Sequence, residues 1–148
     1  MPIVSTVRGS FGPQGRFGAK FGATGGTTTT AGGYKIHTFT LAESGTNLTF
    51  SGGVGNVEVL VIAGGGGGGS QNSPGTYGGG GGGAGGLVTI SALPVISTSY
   101  PVVVGNGGAV NTSGANSTFS TITAVGGGFG GNNSWQRRFW RRIMLWSK

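Results

Sequence analysis

Cysteine is absent from the chain, which removes disulfides and thiolate metal sites together and leaves the redox compartment open. Acidic groups are almost absent too. There is no aspartate, and Glu43 and Glu58 are the only carboxylates; His37 is the only histidine. A Ser–His–Asp triad or a carboxylate pair therefore has no partners to draw on, and no ligand set for zinc or calcium can be assembled. Glu43 falls in the turn-like stretch Ala42-Glu43-Ser44-Gly45, Glu58 near the start of an apolar run, and His37 between Ile36 and Thr38, where it reads as a packed strand residue. The expectation is a protein that is not an enzyme, with no catalytic, cofactor-binding or metal-binding residues and no cofactor. Long apolar runs are also missing: nothing approaches the roughly 20 residues of a membrane span. Met1-Pro2-Ile3-Val4-Ser5 shows neither the charged start nor the apolar core of a signal peptide.

What is present in excess is glycine, 37 of 148 residues, against a usual share of about 7%. Its runs invite a phosphate-loop reading, but none is followed by Lys-Ser or Lys-Thr, so that reading fails. Between the runs lie short segments rich in Val, Ile, Thr and Phe, residues that suit a pleated surface. Strands are predicted at 34–40, 47–51, 57–63, 87–93, 100–105 and 117–125, each bounded by Gly, Asn or Ser. This is the pattern of an all-β fold, an antiparallel β-sandwich. The stretch 57–63, Val-Glu-Val-Leu-Val-Ile-Ala, is nearly continuously apolar and is predicted to be the central strand, buried on both faces.

The charge of +7 suggests nucleic acid until its distribution is seen. Five of the nine basic residues (Arg137, Arg138, Arg141, Arg142, Lys148) fall in the last twelve positions, leaving four against two carboxylates elsewhere, a net +2. Such charge belongs to a tail and not to a folded surface. Four regions follow: an extended N-terminal arm over 1–23, a linker over 24–33, a glycine-rich β domain over 34–131, and a basic Trp/Arg tail over 132–148. In the arm, Gly9, Gly12, Gly15 and Gly18 keep a three-residue register like that of collagen, yet four triplets are too few for a stable triple helix. Phe11, Phe17 and Phe21 make the arm too apolar to float free, and they are the candidate assembly contacts.

The placement of the glycines is informative. Residues 57–63 run straight into 64–69, a second tract over 78–83 leads into 87–93, and 102–104 and 122–125 also end in glycine. Several strands ending in glycine imply long loops gathered at one tip of the sandwich. There, chains without Cβ can lie side by side and bond to one another, so Gly66 and Gly80 are expected not to tolerate alanine. The interruption Ser70-Gln71-Asn72-Ser73-Pro74-Gly75-Thr76-Tyr77 brings amides, hydroxyls and an aromatic face to that tip. Loops on a rigid scaffold are where binding resides, and Gln71, Asn72 and Tyr77 are the candidate receptor contacts.

The run Gly32-Gly33-Tyr34-Lys35-Ile36-His37-Thr38-Phe39-Thr40, then Leu48-Thr49-Phe50, the 57–64 stretch, Ser99-Tyr100-Pro101-Val102-Val103-Val104-Gly105 and residues 116–126 form an ordered series. Over roughly 24–131 it resembles the glycine-rich domain of tailed-bacteriophage tail fibres and related virion proteins. The resemblance implies a virion location and a homo-oligomer, most simply a trimer, joined to other virion proteins. It further implies contact with the host surface through a glycan or outer-membrane receptor. Some phage adhesins of this kind bundle polyglycine helices to display loops. A capsid-decorating or filament-forming protein with no receptor role is the alternative reading. A nucleic-acid-binding module, acting through the tail by phosphate contacts and stacking, comes third; the same tail residues also suit a membrane interface. The chain departs from the resemblance at 134–148, which holds all three tryptophans. Glycine codons read one base early encode Trp, Arg or Gly, so a frameshift accounts for that ending.

Overall fold

The computed structural model of the chain describes residues 3–7, 20–70 and 78–131. Ten strands form: β1 (Ile3–Val7), β2 (Gly22–Thr24), β3 (Thr27–Ala31), β4 (Tyr34–Phe39), β5 (Asn47–Ser51), β6 (Val54–Ile62), β7 (Leu87–Ile96), β8 (Ser99–Val103), β9 (Ser117–Phe119) and β10 (Ile122–Ala124). The only helix among the described residues is a single 3₁₀ turn, Leu41–Glu43. The protein is all-β, with antiparallel pairing throughout, in two five-stranded sheets of order β3-β4-β1-β6-β7 and β10-β9-β8-β5-β2.

Alternation along the strands builds one core shared by the two sheets. In β6, Val57, Val59 and Val61 are buried, and with Phe39 and Val95 they form the contribution of the first sheet. Leu48 and Phe50 of β5 come from the second sheet, with Ala23, Val102, Phe119 and Ala124. Through this core runs an aromatic ladder, Phe21–Phe50–Tyr100–Phe119, with ring centroids 5.7, 5.5 and 5.7 Å apart. Each such pair contributes about 0.5–1.5 kcal/mol beyond the area it buries.

Several sequence expectations are corrected here. β6 is interior but is not the middle strand. Its second face, Glu58, Leu60 and Ile62, is only half-buried, because the two sheets meet on one face of β6 alone. The expected arm over 1–23 is not separate from the sheets. β1 lies between β4 and β6, with Ser5 opposite both His37 and Val59, and β2 pairs with β5. Phe21, an expected assembly contact, stacks on Phe50 inside the chain's own core and covers Gly55. Phe11 and Phe17 lie outside the described residues. The expected linker over 24–33 contains β3, hydrogen-bonded to β4 through a two-residue turn at Gly32 and Gly33 (φ 57° and 79°). Two adjacent positive φ values match the hairpin turn that follows strand twist, and the threonines supply the strand propensity. The expected strand over 117–125 is a hairpin, β9 to β10, turning at Ser120 with φ 53°.

Candidate functional site: a glycine bundle and its apex

Five strands feed one structure. β6 continues into 64–69, 78–86 leads into β7, β8 continues toward 105–109, 112–116 leads into β9, and β10 continues into 126–131. None of these segments is strand or helix, yet their backbones are bonded to each other with a three-residue period. The N–H groups of Ala63, Gly66 and Gly69 donate to the carbonyls of Gly86, Gly83 and Gly80, at 2.8–2.9 Å. Gly80, Gly83 and Gly86 in turn donate to Gly131, Gly128 and Val125. Gly64 and Gly67 donate to Ala115 and Thr112, while Gly108 and Asn111 donate to Gly65 and Gly68, and Gly127 and Gly130 to Gly64 and Gly67. Segment 64–69 is therefore the axis of the bundle, bonded on all sides by the other four.

A period of three is that of the left-handed polyproline-type helix, which has no internal hydrogen bonds and leaves every backbone group free for a neighbour. At about 3.1 Å per residue, six residues carry the axis roughly 19 Å beyond the sheets. Each bond is worth only about 0.5–1.5 kcal/mol net, and ordering glycine is costly, so the bundle stands only as a mutually bonded set. Close packing makes glycine obligatory inside it. A methyl group on Gly66 would overlap the Gly128 carbonyl, and one on Gly67 the Ala109 carbonyl. The row 78, 81, 84 points the other way: a Cβ at Gly78 or Gly81 meets nothing within 4 Å, and the third place in that row is Ala84, which is exposed.

The outermost layer contains Gly68, Gly69, Ser70, Gly80, Asn111 and Gly131. Residues 71–77 lie outside the described residues, and with them the expected receptor contacts Gln71, Asn72 and Tyr77. Their flanks are nonetheless placed. Gly69 donates to Gly80 across the base of that stretch, and Ser70 is gripped by Asn111, whose Oδ1 accepts from the Ser70 N–H (2.8 Å) and whose Nδ2 donates to the Ser70 hydroxyl (2.7 Å). The basic tail over 132–148 is outside the described residues as well.

The titratable groups lie elsewhere. His37 is fully buried in β4, its Nδ1–H donating to the Gly25 carbonyl at 2.7 Å, with no partner for Nε2 among the described residues. Glu43 closes the 3₁₀ turn: its Oε2 accepts from the Thr40 N–H (2.8 Å) and Thr40 hydroxyl (3.1 Å), and its Oε1 from the Thr27 hydroxyl (3.1 Å). The Thr40 backbone N–H is the main reason its carboxyl is held below the usual range. Among the described residues, His37, Glu43 and Glu58 do not come together as a metal-binding group.

Val110 and Phe129 are not among the sequence-predicted site residues, and Asn111 stands out in the sequence only as part of the sequon-like Asn111-Thr112-Ser113. The signal was available, since each interrupts a glycine-rich stretch at the end where the tracts gather.

A protein family described as a glycine-rich domain matches residues 40–139, about two-thirds of the chain. No curated protein and no solved structure matches it.

Proposed function

We propose that this chain, which belongs to the glycine-rich domain family, is a non-enzymatic structural component of a bacteriophage virion, in a tail fibre or adhesin that contacts the host surface. The observation that carries this reading is the bundle. Five strands extend into glycine segments bonded backbone to backbone, a support suited to display and not a cleft for chemistry. The proposed location rests on the series of strand motifs and their resemblance to virion glycine-rich domains. The sequence's two carboxylates and one histidine leave it little to catalyse with.

Such a part works as a homo-oligomer, most simply a trimer, alongside other virion proteins. Support comes from the outer face of the first sheet. Ile36, Leu60 and Ile62 alternate with core-facing neighbours and are half-buried, and Leu87, opposite Ile62, is 60% exposed. This apolar patch, on a face that also carries Thr38 and Glu58, suits another copy of the chain. Mass spectrometry of gradient-purified particles tests the proposal. The chain should be recovered at a fixed ratio to the other tail proteins, and its absence from the particles would sink the reading. Immunogold labelling at the capsid instead of the tail would favour a decorating role.

A further inference from the structure

The apex of the bundle holds side chains that the scaffold itself does not require. Asn111 adopts φ 61°, one of two non-glycine residues with positive φ among the described residues. Glycine fills such positions elsewhere in the chain, at Gly32 and Gly33 for example. Asparagine tolerates this conformation, and here its side chain is used, in the two bonds to Ser70, while its N–H donates to Gly68 at 2.9 Å. The turn 109–113, closed by the Thr112 N–H on the Ala109 carbonyl (2.9 Å), is thereby locked onto the bundle axis. At its crest Val110 is 63% exposed, and Thr112 is exposed beside it.

Phe129 interrupts the segment 126–131. The three-residue repeat puts it in phase with Gly126, where an added methyl would strike the Gly114 carbonyl. Phe129 thus lies on the side of its segment that faces 112–116. The Gly114 N–H donates to Gly127 in this antiparallel pair, which brings residue 129 level with 111–112. There the neighbouring chain has already turned, so a ring fits where Gly126 cannot be replaced. Half of that ring, 50%, stays exposed.

No charged side chain occurs anywhere in residues 59–136. Among the described residues the apex is therefore an uncharged, backbone-bonded platform bearing a half-exposed aromatic ring, an aliphatic group and hydroxyls. A sugar ring matches it, with a C–H face to lie on the aromatic and hydroxyls to exchange hydrogen bonds with Thr112 and Ser113. We infer that Phe129 and the turn 109–113 form a contact surface for a neutral cell-surface saccharide, with Asn111 as its positioning residue. The inference rests on the host-contact reading above and names its ligand class. Rigidity matters because a preorganised surface does not have to be ordered on binding.

The test is binding of the full chain to an array of immobilised neutral bacterial polysaccharides, with thermal melts as the folding control. Phe129→Ala and Val110→Glu, both at exposed positions, should each weaken binding about tenfold or more while melting as the wild type does. Asn111→Gly keeps the left-handed backbone and removes only the bonds to Ser70. It should weaken binding and speed hydrogen exchange at the Ser70 amide, an exchange that Phe129→Ala leaves unchanged. Wild-type affinity in Phe129→Ala overturns the inference, as does a wild type that binds no polysaccharide or binds host cells only through a protease-sensitive receptor. In those cases recovery of the chain from purified particles leaves the structural reading standing, whereas absence from particles removes that reading itself.

Discussion

At the scale of single residues, the glycines divide into those the fold demands and those it does not. Gly66 faces the Gly128 carbonyl across the bundle, so Gly66→Ala forces backbones apart and should cost about 1–3 kcal/mol, as overpacking does. Gly81 faces open space outside the left-handed region. Gly81→Ala should be neutral, or raise stability by about 0.4–1 kcal/mol through the unfolded chain. Gly80 is intermediate, with its nearest neighbour, the Gly131 nitrogen, 3.1 Å from an added Cβ. Thermal melts of the three variants check the order; equal tolerance at positions 66 and 81 would contradict the packing. Glu43 gives a pH test. Its pKa is lowered in the fold by the Thr40 N–H, so its contribution is complete above the ordinary carboxylate range and is lost as pH falls through the lowered value. Wild type should therefore exceed Glu43→Gln in melting temperature at neutral pH, and the gap should close in strong acid.

At the scale of elements, β6 is the strand on which most depends. It joins β1, β7, the core and the bundle axis. Val59 is 3% exposed, and Val59→Asp would bury a carboxylate without a partner, a cost of several kcal/mol. No folded protein should be recovered, and a wild-type circular dichroism spectrum for that variant would contradict the placement of β6. β1 makes a subtler case. It bridges β4 and β6, which have no other partner on that side. Deleting residues 1–7 should therefore leave two unpaired edges, and these edges promote association between chains. Loss of stability with concentration-dependent aggregation is the expected result, and a well-behaved truncated monomer would speak against the pairing.

At the scale of the whole molecule, a bonded glycine bundle is set at one end of a two-sheet core, and the proposed function puts a second copy on the apolar patch of the first sheet's outer face. Light scattering should give a mass near three times the 14.5 kDa of the chain. A monomer at every concentration would remove the oligomer from the proposal and leave the bundle untouched. In the proposed function the two ends of the molecule do different work: assembly by the sheets and contact by the apex.

The sequence by itself determined the all-β class, the bounds of β5, the existence of an apolar strand over 57–63 and the gathering of glycine tracts at one end. All of these follow from local alternation, strand propensity and where glycine interrupts it. Only the tertiary structure decided that Ile3–Val7 enters the first sheet, that Thr27–Ala31 is a strand and not a linker, and that Phe21 serves this chain's own core. The tertiary structure also separated Gly66 from Gly81 and brought Asn111 and Phe129 to one layer of the apex. The physical reason is common to all of them. A glycine carries no side chain to mark which face is inward, and a strand that pairs with distant partners owes its place to backbone bonds that no neighbouring residue encodes.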